Sequence, residues 1–154
     1  MSINYKVIIL LHLFATSAMC AVIWIVQLVH YPSFQYIDLD RFSSFEVFHQ
    51  NTIVLIVLPL MLLEVATYGL LFKQYHMEKR LLLSGIALLI VWISTFFIHT
   101  PIHQKLEIGF NIDLVTQLVQ TNWIRTIGWS IRTFYIFRFS SKYLSIQPIL
   151  SRNS

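Results

Sequence analysis

Cysteine is almost missing from this sequence. Cys20 stands alone among 154 residues, so no disulfide can close within the chain and no cysteine-based metal motif exists. Charge is scarce as well, at 12% of residues, with seven acidic side chains against eleven Lys and Arg. Glycine and proline number four each, and no linker, internal repeat or low-complexity tract is visible. There is no Gly-rich phosphate loop, no GxSxG elbow and no HExxH pair, which removes the motif-based nucleotide, serine-hydrolase and zinc-protease readings. The net charge of +4 does not indicate nucleic acid. The basic residues sit in short clusters between apolar runs and form no basic face, so no nucleic-acid partner is expected.

What is abundant is apolar surface. Hydrophobic residues make up 56% of the chain, more than one soluble core of this size can hide. A lipid bilayer solves that problem, and four runs are long enough to cross one. They cover about residues 7–29, 51–72, 81–99 and 114–137. The first could be taken for a secretory leader, since Lys6 precedes an apolar stretch with small residues at Ala15–Ala18. Its length argues for a retained span instead, because leader cores run roughly 7–15 residues and a span needs about 20. The fourth is the least apolar, carrying Asn122, Arg125 and Arg132, and is kept because those polar residues share one face and because Asn111 or Asp113 offers an N-cap.

Punctuation refines the picture. Pro32 is expected to end the first span, and Asp40 to cap a helix that begins near Arg41 and runs on into the second. Phe42, Phe45 and Phe48 suit an interfacial apolar stripe there. Pro59 is expected to kink the second span or disturb its local hydrogen bonding. Thr100-Pro101 reads as N-cap and first residue of a short helix ending at Gly109. Residues 140–154 read as a polar cytoplasmic tail.

With four spans, the N-terminus, the Lys73–Arg80 loop and the C-terminus share one side. That side carries Lys6, Lys73, Lys79, Arg80, Arg138, Lys142 and Arg152 against Glu78 alone. The other carries Arg41 and Lys105 against Asp38, Asp40, Glu46, Glu107 and Asp113. The excess of Lys and Arg marks the first side as cytoplasmic. The sequence thus predicts an all-α, integral membrane, antiparallel four-helix bundle with both termini inside, in the inner membrane if the chain is bacterial.

On that topology His30, His49, His99 and His103 collect at the outer end. Helical spacing groups the polar residues into stripes: His12, Thr16, Met19, Ile23, Gln27 and His30 in span one; Trp92, Thr95, His99 and His103 in span three; Asn122, Arg125, Trp129 and Arg132 in span four. Facing inward spares these groups the cost of lipid contact. Measured from the cytoplasmic end at ~1.5 Å per residue, Glu64 lies at about 13 Å, between Arg132 at about 8–9 Å and Arg125 at about 18–20 Å. Glu64 is therefore expected to pair with one of them.

Three readings of the histidines stand side by side. They hold a transition metal or haem, with His30 and His99 the best haem pair and all four the metal set; they line an organic-ligand pocket without metal; or they are interfacial residues without a chemical role. In the enzymatic version His99, His103, Arg125 and Glu64 are the catalytic candidates, and His30, His49 and Asn122 bind the ligand. A histidine acts as ligand or general base, Arg125 stabilises developing negative charge, and Glu64 is either a proton-relay acid or a structural counter-ion. The expected partners are the bilayer, a small organic substrate or quinone, and partner membrane subunits or further copies of the chain. The rival class is a non-enzymatic subunit of a larger membrane complex, with its polar stripes as helix–helix glue.

His30-Tyr31-Pro32, Thr100-Pro101-Ile102-His103 with Leu106, and Asn122-Trp123-Ile124-Arg125 through Trp129 and Arg132 together resemble the small four-span membrane family that includes anthrone oxygenase-like proteins. In that family a proline-containing loop after the third span precedes a Trp- and Arg-bearing last span. This sequence has His103 where an Asn is expected after that proline. The resemblance implies a four-helix bundle and oxidation of a small aromatic molecule without a nucleotide cofactor.

Overall fold

The computed structural model describes residues 4–145, and every regular element among them is helical. Asn4 caps α1 (Tyr5–Ile25) by accepting from the Lys6 N–H at 3.2 Å. A wider π turn, Val26–His30, carries the helix into α2 (Tyr31–Ser33) and a short 3₁₀ turn, Phe34–Tyr36. The returning helix α3 spans Leu39–Tyr75 without interruption. α4 (Lys79–Ser94) likewise passes through a π turn, Thr95–His99, into α5 (Thr100–Leu106), and α6 (Ile112–Leu144) completes the chain.

Several expectations change here. Pro32 and Pro101 do not end their helices; each sits in the first turn after a π turn, and the helical path continues past both. Thr100 is itself helical rather than a cap, and α5 ends at Leu106 with no left-handed cap at Gly109. α3 begins at Leu39 after Asp38, two residues ahead of the expected start near Arg41, and Pro59 lies inside it without ending it. Asn111 is the cap of α6, accepting from the N–H groups of Asp113 and Leu114 at 2.9 and 3.1 Å. That helix reaches Leu144, past the expected boundary at residue 140, while Arg152 and the rest of the expected tail lie outside the described residues.

Three continuous helices, Tyr5–Tyr36, Leu39–Tyr75 and Lys79–Leu106, are long and apolar enough to cross a membrane. α6 is less apolar and acts as the spine, packing along both α4 and α1. α1 packs in turn on α3, whereas α3 and α4 touch only sparsely, so the pair is joined by a turn but leaves space between its helices. Tyr5 meets Tyr75 edge-on at 5.9 Å, and Tyr75 meets Tyr143 at 4.6 Å, which gathers the chain start, the α3–α4 turn and the end of α6 at one end. Glu78 in that turn accepts from Lys142 Nζ at 2.6 Å and from Tyr143 Oη at 3.1 Å. The Lys142 ammonium holds its carboxyl below the usual carboxylate range.

One close approach depends on a missing side chain. A Cβ on Gly128 of α6 would lie 2.4 Å from Val91 Cγ1 of α4. Val91 is fully buried and its branched side chain has little rotamer freedom. Gly128→Ala is therefore expected to destabilise the α4–α6 contact by about 1–3 kcal/mol, and Val91→Ala in the same chain to restore most of the loss. Thermal unfolding in mild detergent measures both. At Gly85 the added Cβ would instead meet the tip of the half-buried Tyr68 ring, which can swing away, so Gly85→Ala should cost less.

Candidate functional site

The site is built where the two π turns come together with α3 and α6. A proline has no N–H and crowds the carbonyl four residues back, here those of Leu28 and Phe97. Widening the preceding turn absorbs that conflict without breaking the helix. The Tyr31 N–H then reaches the Val26 carbonyl, and the Thr100 N–H the Thr95 carbonyl. Both turns close on a histidine, His30 and His99, followed after one residue by the proline. The two halves of the chain thus repeat one plan: long helix, π turn ending in His, short Pro-started helix, long return helix. The sequence signal was the doubled His-x-Pro, and an internal repeat in this sense is present after all.

Four side chains from four separate elements form a continuous polar chain. Glu46 of α3 lies 2.5 Å from His103 Nδ1 of α5. A carboxylate only accepts, so Nδ1 carries the proton. His103 Nε2 is 3.0 Å from Tyr31 Oη of α2 and is left to accept the phenol proton. Arg125 Nη1 of α6 donates to the same oxygen at 3.3 Å, and its guanidinium also lies over the Trp129 ring at 5.7 Å. Glu46 is fully buried, and Tyr31, His103 and Arg125 nearly so. Phe34 holds the array from behind, with its ring centroid 5.2–6.4 Å from those of His30, Tyr31, His49 and His103.

Tyr31, His103 and Arg125 line a cavity of about 210 Å³ together with His49 and His99; apolar residues such as Ile23 and Val57 form much of the rest of its wall. His99 Nδ1 lies 2.9 Å from the Ser94 carbonyl and donates to it, so Nε2 is an acceptor. That nitrogen is buried and unpartnered, as is Arg125 Nε. The cavity wall therefore includes a cation and an acid–base phenol, and the unpartnered His99 Nε2 and Arg125 Nε belong to residues that line it. These suit a ligand hydroxyl or carbonyl oxygen.

The sequence-predicted residues divide. His49, His99, His103 and Arg125 meet at the cavity. His30 hydrogen-bonds His49 (2.8 Å) and lies in an adjoining groove rather than in the cavity wall. Glu64 and Asn122 are outside that wall. Glu64 bonds Arg132 Nη2 at 2.8 Å and Trp129 Nε1 at 3.0 Å, so of the two expected partners it takes Arg132. Asn122 donates to Gln27 Oε1 at 2.9 Å. His12 bonds Thr67 at 2.7 Å and does not reach out to a charged partner.

The metal set does not assemble. Both nitrogens of His103 are engaged by Glu46 and Tyr31, and His30 and His49 are turned onto each other. Among the described residues, no three His, Cys, Asp or Glu side chains are grouped to hold a metal ion. The nitrogens of His30 and His49 sit closer together than two ligands at about 2.0–2.1 Å from one tetrahedral metal would. The geometry thus departs from the metal arrangement expected of His30, His49, His99 and His103.

Two residues of the hydrogen-bonded array, Tyr31 and Glu46, are not among the sequence-predicted site residues. Glu46 counted in the sequence only among the charges of the outer side, and Tyr31 only within the His30-Tyr31-Pro32 segment. A signal for Glu46 existed: Phe42, Glu46 and His49 are spaced by four and three, and all three are buried, whereas Phe48 of the expected Phe42–Phe45–Phe48 stripe is 65% exposed. No family model matches the chain, and no curated protein or solved structure is significantly similar to it.

Proposed function

We propose that this is a four-span membrane protein with cytoplasmic termini, whose outer-end cavity binds a small organic molecule through a hydroxyl or carbonyl oxygen and moves a proton to or from it. The observation that carries the reading is the unbroken Glu46–His103–Tyr31–Arg125 chain, whose last three members line the cavity, together with the unpartnered Nε2 of His99, another wall residue. Tyr31 is the acid–base group. His103 takes its proton, Glu46 stabilises the imidazolium that forms, and Arg125 stabilises negative charge on the phenol or on the ligand oxygen. Ionising a phenol or enol makes it easier to oxidise, so the same step serves the oxidation of a small aromatic molecule that the resemblance to anthrone oxygenase-like proteins implies.

The fourth span is α6. It turns Asn122, Arg125 and Arg132 inward and leaves Ile124, Ile127, Ile131 and Phe134 exposed along one face at spacings of three and four, a surface suited to lipid. The Lys- and Arg-rich end, where the α3–α4 turn meets the chain ends, faces the cytoplasm by the positive-inside rule.

The test uses 2-naphthol, a small hydroxyl-bearing ring system whose fluorescence distinguishes the neutral and ionised forms. Binding to the purified full chain in nanodiscs is expected, weakened about tenfold or more by Tyr31→Phe and by Arg125→Gln through loss of hydrogen bonds at a charged site. Binding that both variants leave unchanged would remove the proposal.

A further inference from the structure

A second concavity abuts the cavity. It is a groove of about 310 Å³ between α1 and α3, and its wall shares Val22, Val26, His49 and Ile53 with the cavity. Its polar wall residues are His30, His49 and Thr52; the remainder is apolar. At its rim Ile25, Phe48 and Ile56 are 61%, 65% and 52% exposed, on the outward side that the membrane reading gives to lipid. The cavity itself is smaller than the roughly 300–1,000 Å³ usual for ligand sites, so it accommodates a head rather than a long molecule. The hydrogen-bonded His30–His49 pair stands at the junction, with His49 in both walls.

We infer that the ligand is a membrane-dissolved amphiphile, which enters sideways between α1 and α3 and keeps its apolar tail in this groove while its single oxygenated head occupies the cavity. The inference rests on the proton-transfer reading of the cavity and adds the substrate class and its route. Continuity of the two walls supplies the path, and their contrast in polarity orients the ligand. The tail gains little hydrophobic energy on leaving lipid for the groove. Affinity must therefore come from the head, and a tail in the groove is expected only while Tyr31 and Arg125 hold that head. The His30–His49 pair is placed to pass the head between the two spaces by parting and closing.

A 2-naphthol carrying a decyl chain at ring position 6, with a diazirine near the chain end, tests this on the full chain in phosphatidylcholine vesicles. Photolysis and peptide mass spectrometry are expected to find label on Ile25, Phe48 or Ile56. The label should fall at least tenfold in Tyr31→Phe and in Arg125→Gln, with two variants used so that misfolding of one, checked by its thermal midpoint, leaves the other. Label on Val54 or Thr100, which line the cavity but not the groove, would overturn the route. Groove label that is indifferent to both variants would also overturn it, since that is what passing lipid gives. Untailed 2-naphthol separates the two failures. If it binds in a Tyr31-dependent manner while the groove stays unlabelled, the lateral path alone is lost; if it does not bind, the proton-transfer site and the path built on it fall together.

Discussion

Glu64→Gln is expected to destabilise the protein by about 3–5 kcal/mol, the cost of removing one partner from a buried ion pair. Arg132 is fully buried, with Nη2 on Glu64 at 2.8 Å and Nη1 on the Ser84 carbonyl at 3.0 Å. Its guanidinium cannot shed a proton to escape the interior. Glutamine keeps the shape but not the charge. Its amide must also turn one N–H donor either to Arg132 or to the Trp129 indole N–H, which sits 3.0 Å from the other Glu64 oxygen. The double variant Glu64→Leu with Arg132→Leu should be far less damaging than either single change, because no charge is left stranded. Equilibrium unfolding in detergent by thermal or SDS titration measures both. A shift below about 1 kcal/mol for Glu64→Gln would mean that the pair is not what holds α3, α4 and α6 together at that level.

Glu46→Gln should act on chemistry more than on stability. The buried partner here is His103, which unlike arginine can stay neutral, so losing the carboxylate strands no obligatory charge. What disappears is the negative charge 2.5 Å from Nδ1 that stabilises the imidazolium formed when His103 takes the Tyr31 proton. The readout is hydrogen–deuterium exchange at the α-carbon of 2-tetralone, an enolisable ketone, followed by NMR. The wild-type chain should catalyse it. Glu46→Gln should slow it by about 10²–10⁴, the usual contribution of general acid–base catalysis, with binding of 2-naphthol changed much less. A slowing of under about threefold would make Glu46 a structural residue only.

The sequence by itself determined the all-helical class, because apolar runs of spanning length with so few breakers form little else. It also determined the inward faces of the first and last long helices, though not that of α4, where Trp92, like Thr95 of the π turn that follows, is only half-buried and Ser84, Leu88 and Val91 turn inward instead. His12 and Thr16 in α1, Gln27 in the π turn that follows it, and Asn122, Arg125, Trp129 and Arg132 in α6 are buried as their spacing demanded, since period 3.6 leaves no other common face. His49, His99, His103 and Arg125 were legible as a group because antiparallel helices bring their positions to one end. What the tertiary structure alone decided is which of these groups touch. Glu64 had two arginines at plausible depth on one face of α6, and only the axial register of α6 against α3 selects Arg132 and leaves Arg125 for Tyr31. Pro32 and Pro101 read as helix ends because proline usually is one; a π turn kept both helices going and brought Tyr31 and His103 to face each other, 72 positions apart. The four outer histidines are not grouped as a metal set, on the same ground. Histidines at one level of the fold are a fact of spacing, whereas the direction of their nitrogens is set by whichever neighbour, Glu46 or Tyr31 or another histidine, packing has placed within reach.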